Sequence, residues 1–325
     1  MRTRRLARLA GVALVAALAA GLAGCTGHGA RPAAASQDAG LTTKGPFAAV
    51  SGRFGQQPTL SFPAGATPSD KLQRKILSLG HGPKLAIGDL VVADYLGQVW
   101  GGPVFQNSYR DGQAVPLQFG VRKLLPGIDS GLLGVPVGSR VELTVPPKDA
   151  YGSVGDPTTG VKPDQTLVYV LDLAQRYNGK SGADPTGTPA SSPAELPKVG
   201  GKLSVAPLIT FPTRLRLPAK RVTLVVARGH GAPLKQGTAI VQYYGVNGRN
   251  QFVGSTWLNG TPTAVPVGAA DSSTGGMFDD LVGVPVGSRV LVVVPAPPGP
   301  KQLSDTAVAA VDVLAQLTTA AQMAR

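Results

Sequence analysis

Few residues in this 325-residue chain could carry acid, base or nucleophilic chemistry. The histidines are His28, His81 and His230, far apart in sequence, whereas a metal site needs clustered ligands. His81 and His230 each sit inside a Gly-His-Gly triplet, which reads as a turn. Cys25 is the only cysteine, so neither an internal disulfide nor a cysteine-based zinc site can form. There is no Gly-x-Ser-x-Gly elbow and no phosphate-binding P-loop. Asp94, Asp149, Asp156 and Asp172 are scattered, and nothing pairs two of them for carboxylate hydrolysis. Met277-Phe278 reads as core. No cofactor and no metal is implied.

The elements that must position any site are short. Hydrophobic residues make up 43% of the chain and charged residues 15%, enough apolar material for packed cores. The 43 glycines and 29 prolines favour turns and brief strands over long helices. The octapeptide Gly134–Val141 recurs letter for letter at Gly283–Val290. Pro58–Pro63 matches Pro207–Pro212, Gly80–Gly82 matches Gly229–Gly231, and Tyr95 pairs with Tyr244, all at one constant offset. A period that long marks a duplicated domain.

In the first copy, Leu90–Gly97, Val141–Val145 and Leu167–Ala174 read as strands. In the second, Ala239–Gly245, Val290–Val294 and Ala307–Ala315 do the same. Pro126–Leu133 predicts a short helix with proline in its first turn and residues 128, 132 and 133 on one apolar face. The expected fold class is α+β. The stretch 178–198 is rich in Gly, Ser, Pro and Ala and reads as a flexible linker, as does the tether 26–45.

The first 25 residues carry Arg2, Arg4, Arg5 and Arg8, then an uncharged apolar run from Gly11 to Leu22. That run is short for a permanent span and has the flanks of an export signal. Leu22-Ala23-Gly24-Cys25 resembles the lipobox of bacterial lipoproteins, which implies cleavage before Cys25 and lipidation of Cys25. The implied location is the outer face of the bacterial cytoplasmic membrane, reached by either export route. The formal charge of +13 suits solubility, anionic lipid heads or cell-wall polymer. Export argues against nucleic acid as a partner.

One ordered set of residues carries a family resemblance. Tyr95, then Phe105-Gln106-Asn107-Ser108-Tyr109, Leu124-Leu125-Pro126-Gly127-Ile128, Val137-Gly138-Ser139-Arg140, Pro147–Gly152 and Thr166–Tyr169 together resemble the FKBP-type peptidyl-prolyl cis-trans isomerases. The resemblance covers Val91 to Leu173. It implies two FKBP-like modules, each a twisted antiparallel sheet wrapped around a short α-helix, at 46–177 and 199–320. By resemblance, Tyr95, Phe105, Val115, Leu124, Leu125, Ile128, Tyr151 and Tyr169 line an apolar bowl. Ile128 is its floor, where many relatives carry tryptophan. The Leu125 N–H and the Tyr151 hydroxyl are the implied donors.

Two departures stand out. Relatives usually have aspartate after the phenylalanine, paired with a nearby arginine. Here Gln106 takes that place, and Arg110 and Asp111 occupy the partner's neighbourhood. The second copy keeps Tyr244 and Phe252, places Met277 where Ile128 stands and Ala309 where Tyr169 stands, and replaces the Ala-Tyr-Gly loop by Ala296–Pro300.

The expected function is prolyl isomerisation by the first module, acting on proline-containing unfolded or exported polypeptides at the cell envelope. The second module is expected to be inactive. Macrolide inhibitors are the small-molecule ligands that the resemblance implies. The alternatives are a non-catalytic peptide-binding or chaperone module and a structural lipoprotein.

Overall fold

The structure, a computed structural model, describes residues 41–185, 192–216, 218–268, 275–296 and 305–323. Cys25, the leader and most of the tether lie outside the described residues. The first module runs β1 (Ala49–Ser51), β2 (Thr59–Ser61), β3 (Gln73–Ser78), β4 (Leu90–Val99), β5 (Val104–Asn107), β6 (Val115–Gln118), α1 (Pro126–Leu132), β7 (Arg140–Val145) and β8 (Leu167–Tyr177). The second runs β9 (Lys198–Gly200), β10 (Leu208–Thr210), β11 (Val222–Ala227), β12 (Gly237–Asn247), β13 (Phe252–Ser255), α2 (Thr256–Asn259), β14 (Thr263–Val267), β15 (Arg289–Val294), β16 (Ala307–Gln316) and α3 (Ala320–Met323).

The two main sheets share one antiparallel topology. The first has the order β3-β7-β8-β4-β5, with β6 also on β4; the second has β11-β15-β16-β12-β13, with β14 on β12. Their central strands are β-branched and aliphatic, as a doubly covered sheet requires. On the inner face of the first sheet, Val91, Ala93, Val141, Leu143, Tyr169, Leu171 and Leu173 pack on Ile128 and Leu132 of α1. Gly127 and Gly131 let α1 lie close to β7: a Cβ at Gly131 would come within 2.7 Å of the Leu143 side chain.

The outer face of each sheet buries an arginine–aspartate pair. Arg140 Nε lies 2.6 Å from Asp172 Oδ1, and Arg289 Nε lies 2.6 Å from Asp312 Oδ1. The two-stranded β1–β2 hairpin covers the first pair: Arg140 donates to Gly52 O at 2.7 Å and to Gln56 O at 2.6 Å.

Three sequence expectations need correction. The constant offset fails inside the second sheet. Asp94 pairs with Asp172 and Tyr95 with Leu171, whereas Gln242 pairs with Asp312 and Tyr243 with Val311. Tyr243, not Tyr244, is therefore the counterpart of Tyr95, because the chain from Leu234 to Gln242 is one residue shorter than that from Leu85 to Asp94. By the same register Phe252 matches Val104, and Val253 matches Phe105.

The second correction concerns the helix. Among the described residues the second module has, in place of α1, only a single 3₁₀ turn at Asp279–Leu281. Gly276 before it takes a positive φ of 74°, and no proline opens the turn. The third concerns the linker. Ala183 is buried against the second module, its N–H donating to Asp312 Oδ2 at 3.0 Å, and Asp184 N–H donates to Gly287 O at 2.8 Å. The ion-paired Asp312 carboxylate recruits this further donor, which fixes the start of the stretch. Residues 186–191 of it lie outside the described residues.

The described residues form one compact unit. A shared apolar cluster joins Leu90, Val92 and Ala174 of the first module to Ile240, Leu317 and Ala320 of the second. Thr261 Oγ1 donates to Gly88 O at 2.7 Å, Ala320 N–H to Asp94 Oδ2 at 2.8 Å, and Gln242 Nε2 to Ser181 O at 2.7 Å. Among the described residues no helix is long and apolar enough to cross a membrane.

Candidate functional site

The concave face of the first sheet, opposite the N-terminal end of α1, encloses a hollow of about 330 Å³. Strand alternation aims its walls: Tyr95 from β4, Gln106 from β5, Leu117 from β6, and Tyr169 with Leu171 from β8. Ile128 rises from α1, with Leu124, Leu125 and Pro126 at the entry to that helix. Tyr151 closes one side and Lys123 stands at the rim. The residues brought together are Tyr95, Gln106, Leu124, Leu125, Ile128, Tyr151 and Tyr169.

Phe105 and Val115 do not line the hollow. Phe105, unpaired where the β4–β5 register shifts, packs its ring edge-on to Tyr169 with centroids 5.7 Å apart. Gly97 makes that packing possible, since a Cβ there would come within 2.9 Å of Phe105 and 3.0 Å of Tyr169. Val115 sits opposite Ala93 on β6. Leu117, two residues on, takes the wall position that Val115 was expected to fill. Leu117 and Leu171 were legible as same-face neighbours two residues from Val115 and Tyr169. Lys123 and Pro126 carry no such signal.

The tyrosines are held as neutral phenols. Burial pushes the pKa of Tyr95, Tyr151 and Tyr169 upward. The Tyr95 and Tyr169 rings lie 6.3 Å apart, tilted by 50°. The Tyr151 hydroxyl stands beside the Tyr169 hydroxyl and the Asp156 carboxylate. Asp156 is itself fixed by Thr158 Oγ1 at 2.6 Å and Thr159 Oγ1 at 2.8 Å, and the Thr158 hydrogen bond is the main reason its pKa is lowered. From sequence Asp156 was one of four scattered aspartates with no assigned role, although Asp-Pro-Thr-Thr is a strong turn signal.

The Leu125 N–H donates to no protein group among the described residues, whereas the Leu125 carbonyl accepts from Ile128 and Asp129. No ion pair forms at Gln106: Arg110 and Asp111 are both exposed, and neither is paired among the described residues. The lining holds neither carboxylate nor histidine. Its chemistry is therefore confined to apolar contact, neutral hydroxyls, the Gln106 carboxamide, one free N–H and one rim ammonium. Among the described residues no group of three or more His, Cys, Asp and Glu side chains could hold a metal.

Residues 82–174, which contain this hollow, match the family model of the FKBP-type peptidyl-prolyl cis-trans isomerases. An FK506-binding protein of Streptomyces anulatus is 34% identical over 119 residues, covering 36% of this chain and 95% of that protein. The chain belongs to the FKBP-type peptidyl-prolyl cis-trans isomerase family.

The isomerase FkpA of Escherichia coli (strain K12) is 36% identical over 123 residues, covering 36% of this chain and 44% of that protein. The isomerase Mip of Coxiella burnetii is 32% identical over 111 residues, covering 34% of this chain and 47% of that protein. The match therefore spans under half the length of these last two relatives.

The second sheet, of the same topology, builds a different face. Where the first has Phe105, Gln106 and Tyr169, the register places Val253, Gly254 and Ala309. Phe278 is buried there, with its ring 5.8 Å from that of Tyr243. Most of the Ala296–Pro300 loop lies outside the described residues.

Proposed function

We propose that the first module, 46–177, catalyses cis–trans isomerisation of X–Pro bonds in unfolded or exported polypeptides, and that the second, 199–320, does not. The observation that carries this reading is the apolar hollow floored by Ile128 and walled by Tyr95, Tyr169 and Leu171, with an unused Leu125 N–H at its mouth. Rotation about X–Pro breaks amide resonance against a barrier of about 18–20 kcal/mol. In the twisted state the carbonyl loses conjugation with nitrogen. A dry, apolar wall favours that less polar amide, while the Leu125 N–H and the Tyr151 hydroxyl hold the peptide in place.

The second module lacks the Tyr169 and Phe105 rings, and the buried Phe278 packs edge-on to Tyr243. We read it as a support rather than a second enzyme. The leader and Cys25 point to export and to lipid attachment at the outer face of the cytoplasmic membrane. A macrolide could enter the same apolar hollow. A purely peptide-holding role draws its support from Gln106, which stands without the charge pair usual in relatives.

A peptide isomerisation assay tests the reading, with wild type beside Tyr151→Phe and Tyr169→Ala. Acceleration that falls at least several-fold in each variant is expected. Equal rates in all three would overturn the site.

A further inference from the structure

A second hollow, of about 300 Å³, opens beside the prolyl hollow and crosses the boundary between the modules. Gln118 and Lys123 of the first module form one side; Tyr243, Asn259, Thr261 and Thr263 of the second form the other. Lys123 lines both hollows and is the residue they share. The walls are fixed relative to one another: Thr261 donates to Gly88 O at 2.7 Å, and the shared apolar cluster lies beneath.

Four of the polar side chains facing this space are unspent, while its threonines bond to the protein. Among the described residues the side chains of Gln118, Lys123, Tyr243 and Asn259 make no hydrogen bond or ion pair with the protein. Free donors and acceptors, grouped around a cleft that shares Lys123 with an apolar prolyl hollow, suit an extended polypeptide. Its backbone and side chains would satisfy them.

We propose that a polypeptide held by proline in the first hollow continues past Lys123 into the second, so that the second module selects the sequence flanking the proline. This rests on the isomerase reading of the first hollow. The favoured segment carries an acidic side chain where the chain passes the Lys123 ammonium, then hydrogen-bonding side chains over Tyr243 and Asn259. The loss of an enzymatic bowl in the second module then has a counterpart in function, since its face becomes part of the substrate track of the first.

The test uses the full chain, Asn259→Ala and Lys123→Glu, both at exposed positions. The probes are a four-residue X–Pro peptide, and the same core extended by six residues on each side with either aspartates or lysines. Affinity is read by fluorescence anisotropy and isomerisation by kcat/KM. In wild type the aspartate-extended peptide is expected to bind at least about fivefold tighter than the core, the worth of one net hydrogen bond. Asn259→Ala shrinks that ratio, and Lys123→Glu shifts preference from aspartate to lysine. Equal affinity for core and extended peptides, or ratios unchanged by both variants, would overturn the proposal. Length-dependent binding without isomerisation would remove the isomerase reading and leave the track standing. Isomerisation without length preference would do the reverse.

Discussion

Glu142 is wholly buried on the outer face of β7, where Ala48 N–H donates to its Oε1 at 2.8 Å and its Oε2 has no partner. Burial pushes its pKa up to about 7, against the smaller opposing effects of the Ala48 N–H and nearby Lys75. The folded state therefore binds this proton more tightly than the unfolded chain does. The effect costs nothing below the unfolded carboxylate value, grows as pH rises toward 7, and is constant above it. Its ceiling is about 3 kcal/mol. Glu142→Gln is expected to raise the thermal midpoint at pH 8 and leave it nearly unchanged at pH 4.5; equal shifts at both pH values would contradict the account. The Arg140–Asp172 pair has the opposite character. Asp172 Oδ2 also accepts from Tyr109 at 2.9 Å and from Gly55 N–H at 2.6 Å, so every polar atom of the pair is engaged. Asp172→Asn leaves a buried guanidinium short of its counter-charge and should cost about 3–5 kcal/mol in urea melts. Replacing both partners by leucine and methionine should cost less than the two single changes together.

At the level of elements, α1 is the piece that ties stability to the site. Gly131→Val would drive a side chain into Leu143 and lift α1 from β7, taking the Ile128 floor with it. A loss of about 1–3 kcal/mol is expected, with a higher KM for a short prolyl peptide, measured by calorimetry and isomerisation kinetics. A variant that melts early but keeps its KM would separate the helix from the site. The helix itself was legible, because Pro126 marks its first turn and Ile128 and Leu132 share a face. The strands were legible from β-branched runs between glycines. Their ends were not: β4 continues to Val99 past Gly97-Gln98, and β8 to Tyr177 past Gln175-Arg176, polar or glycine pairs that read as strand ends. The register of the second module was hidden for a sharper reason. A one-residue deletion in the turn before β12 moves every following side chain to the other face unless the pairing shifts with it, and Tyr243-Tyr244 offers an aromatic at either register. The bowl was read residue by residue from the family pattern, so Phe105 and Val115 were credited to the lining, although Phe105 sits at the β4–β5 register shift against Tyr169 and Leu117 rather than Val115 faces the hollow.

For the molecule as a whole, each module sends the segment that follows its last sheet strand onto the other. After β8, Ser181 O accepts from Gln242; after β16, Ala114 N–H donates to Thr318 O at 2.8 Å and Gln175 Nε2 to Met323 O at 2.9 Å. Nothing in the composition of these tails announces this exchange, because it depends on the surface of the partner module rather than on local sequence. Leu317, buried between the modules, is the residue whose change tests it. A carboxylate placed there has no counter-charge within the apolar cluster, and an unpaired buried charge is costly enough to part the surfaces. The undisturbed chain should melt in one calorimetric transition, because neither sheet can unfold without exposing the shared cluster. Leu317→Asp should split that transition in two, the modules keeping their own cores but losing each other. It should also abolish preference for extended over four-residue prolyl peptides while the four-residue reaction continues, since the second wall of the track is then no longer fixed beside Lys123. A single transition at the original temperature would mean that the modules fold as independent beads. Module coupling and the composite substrate track would then both fall.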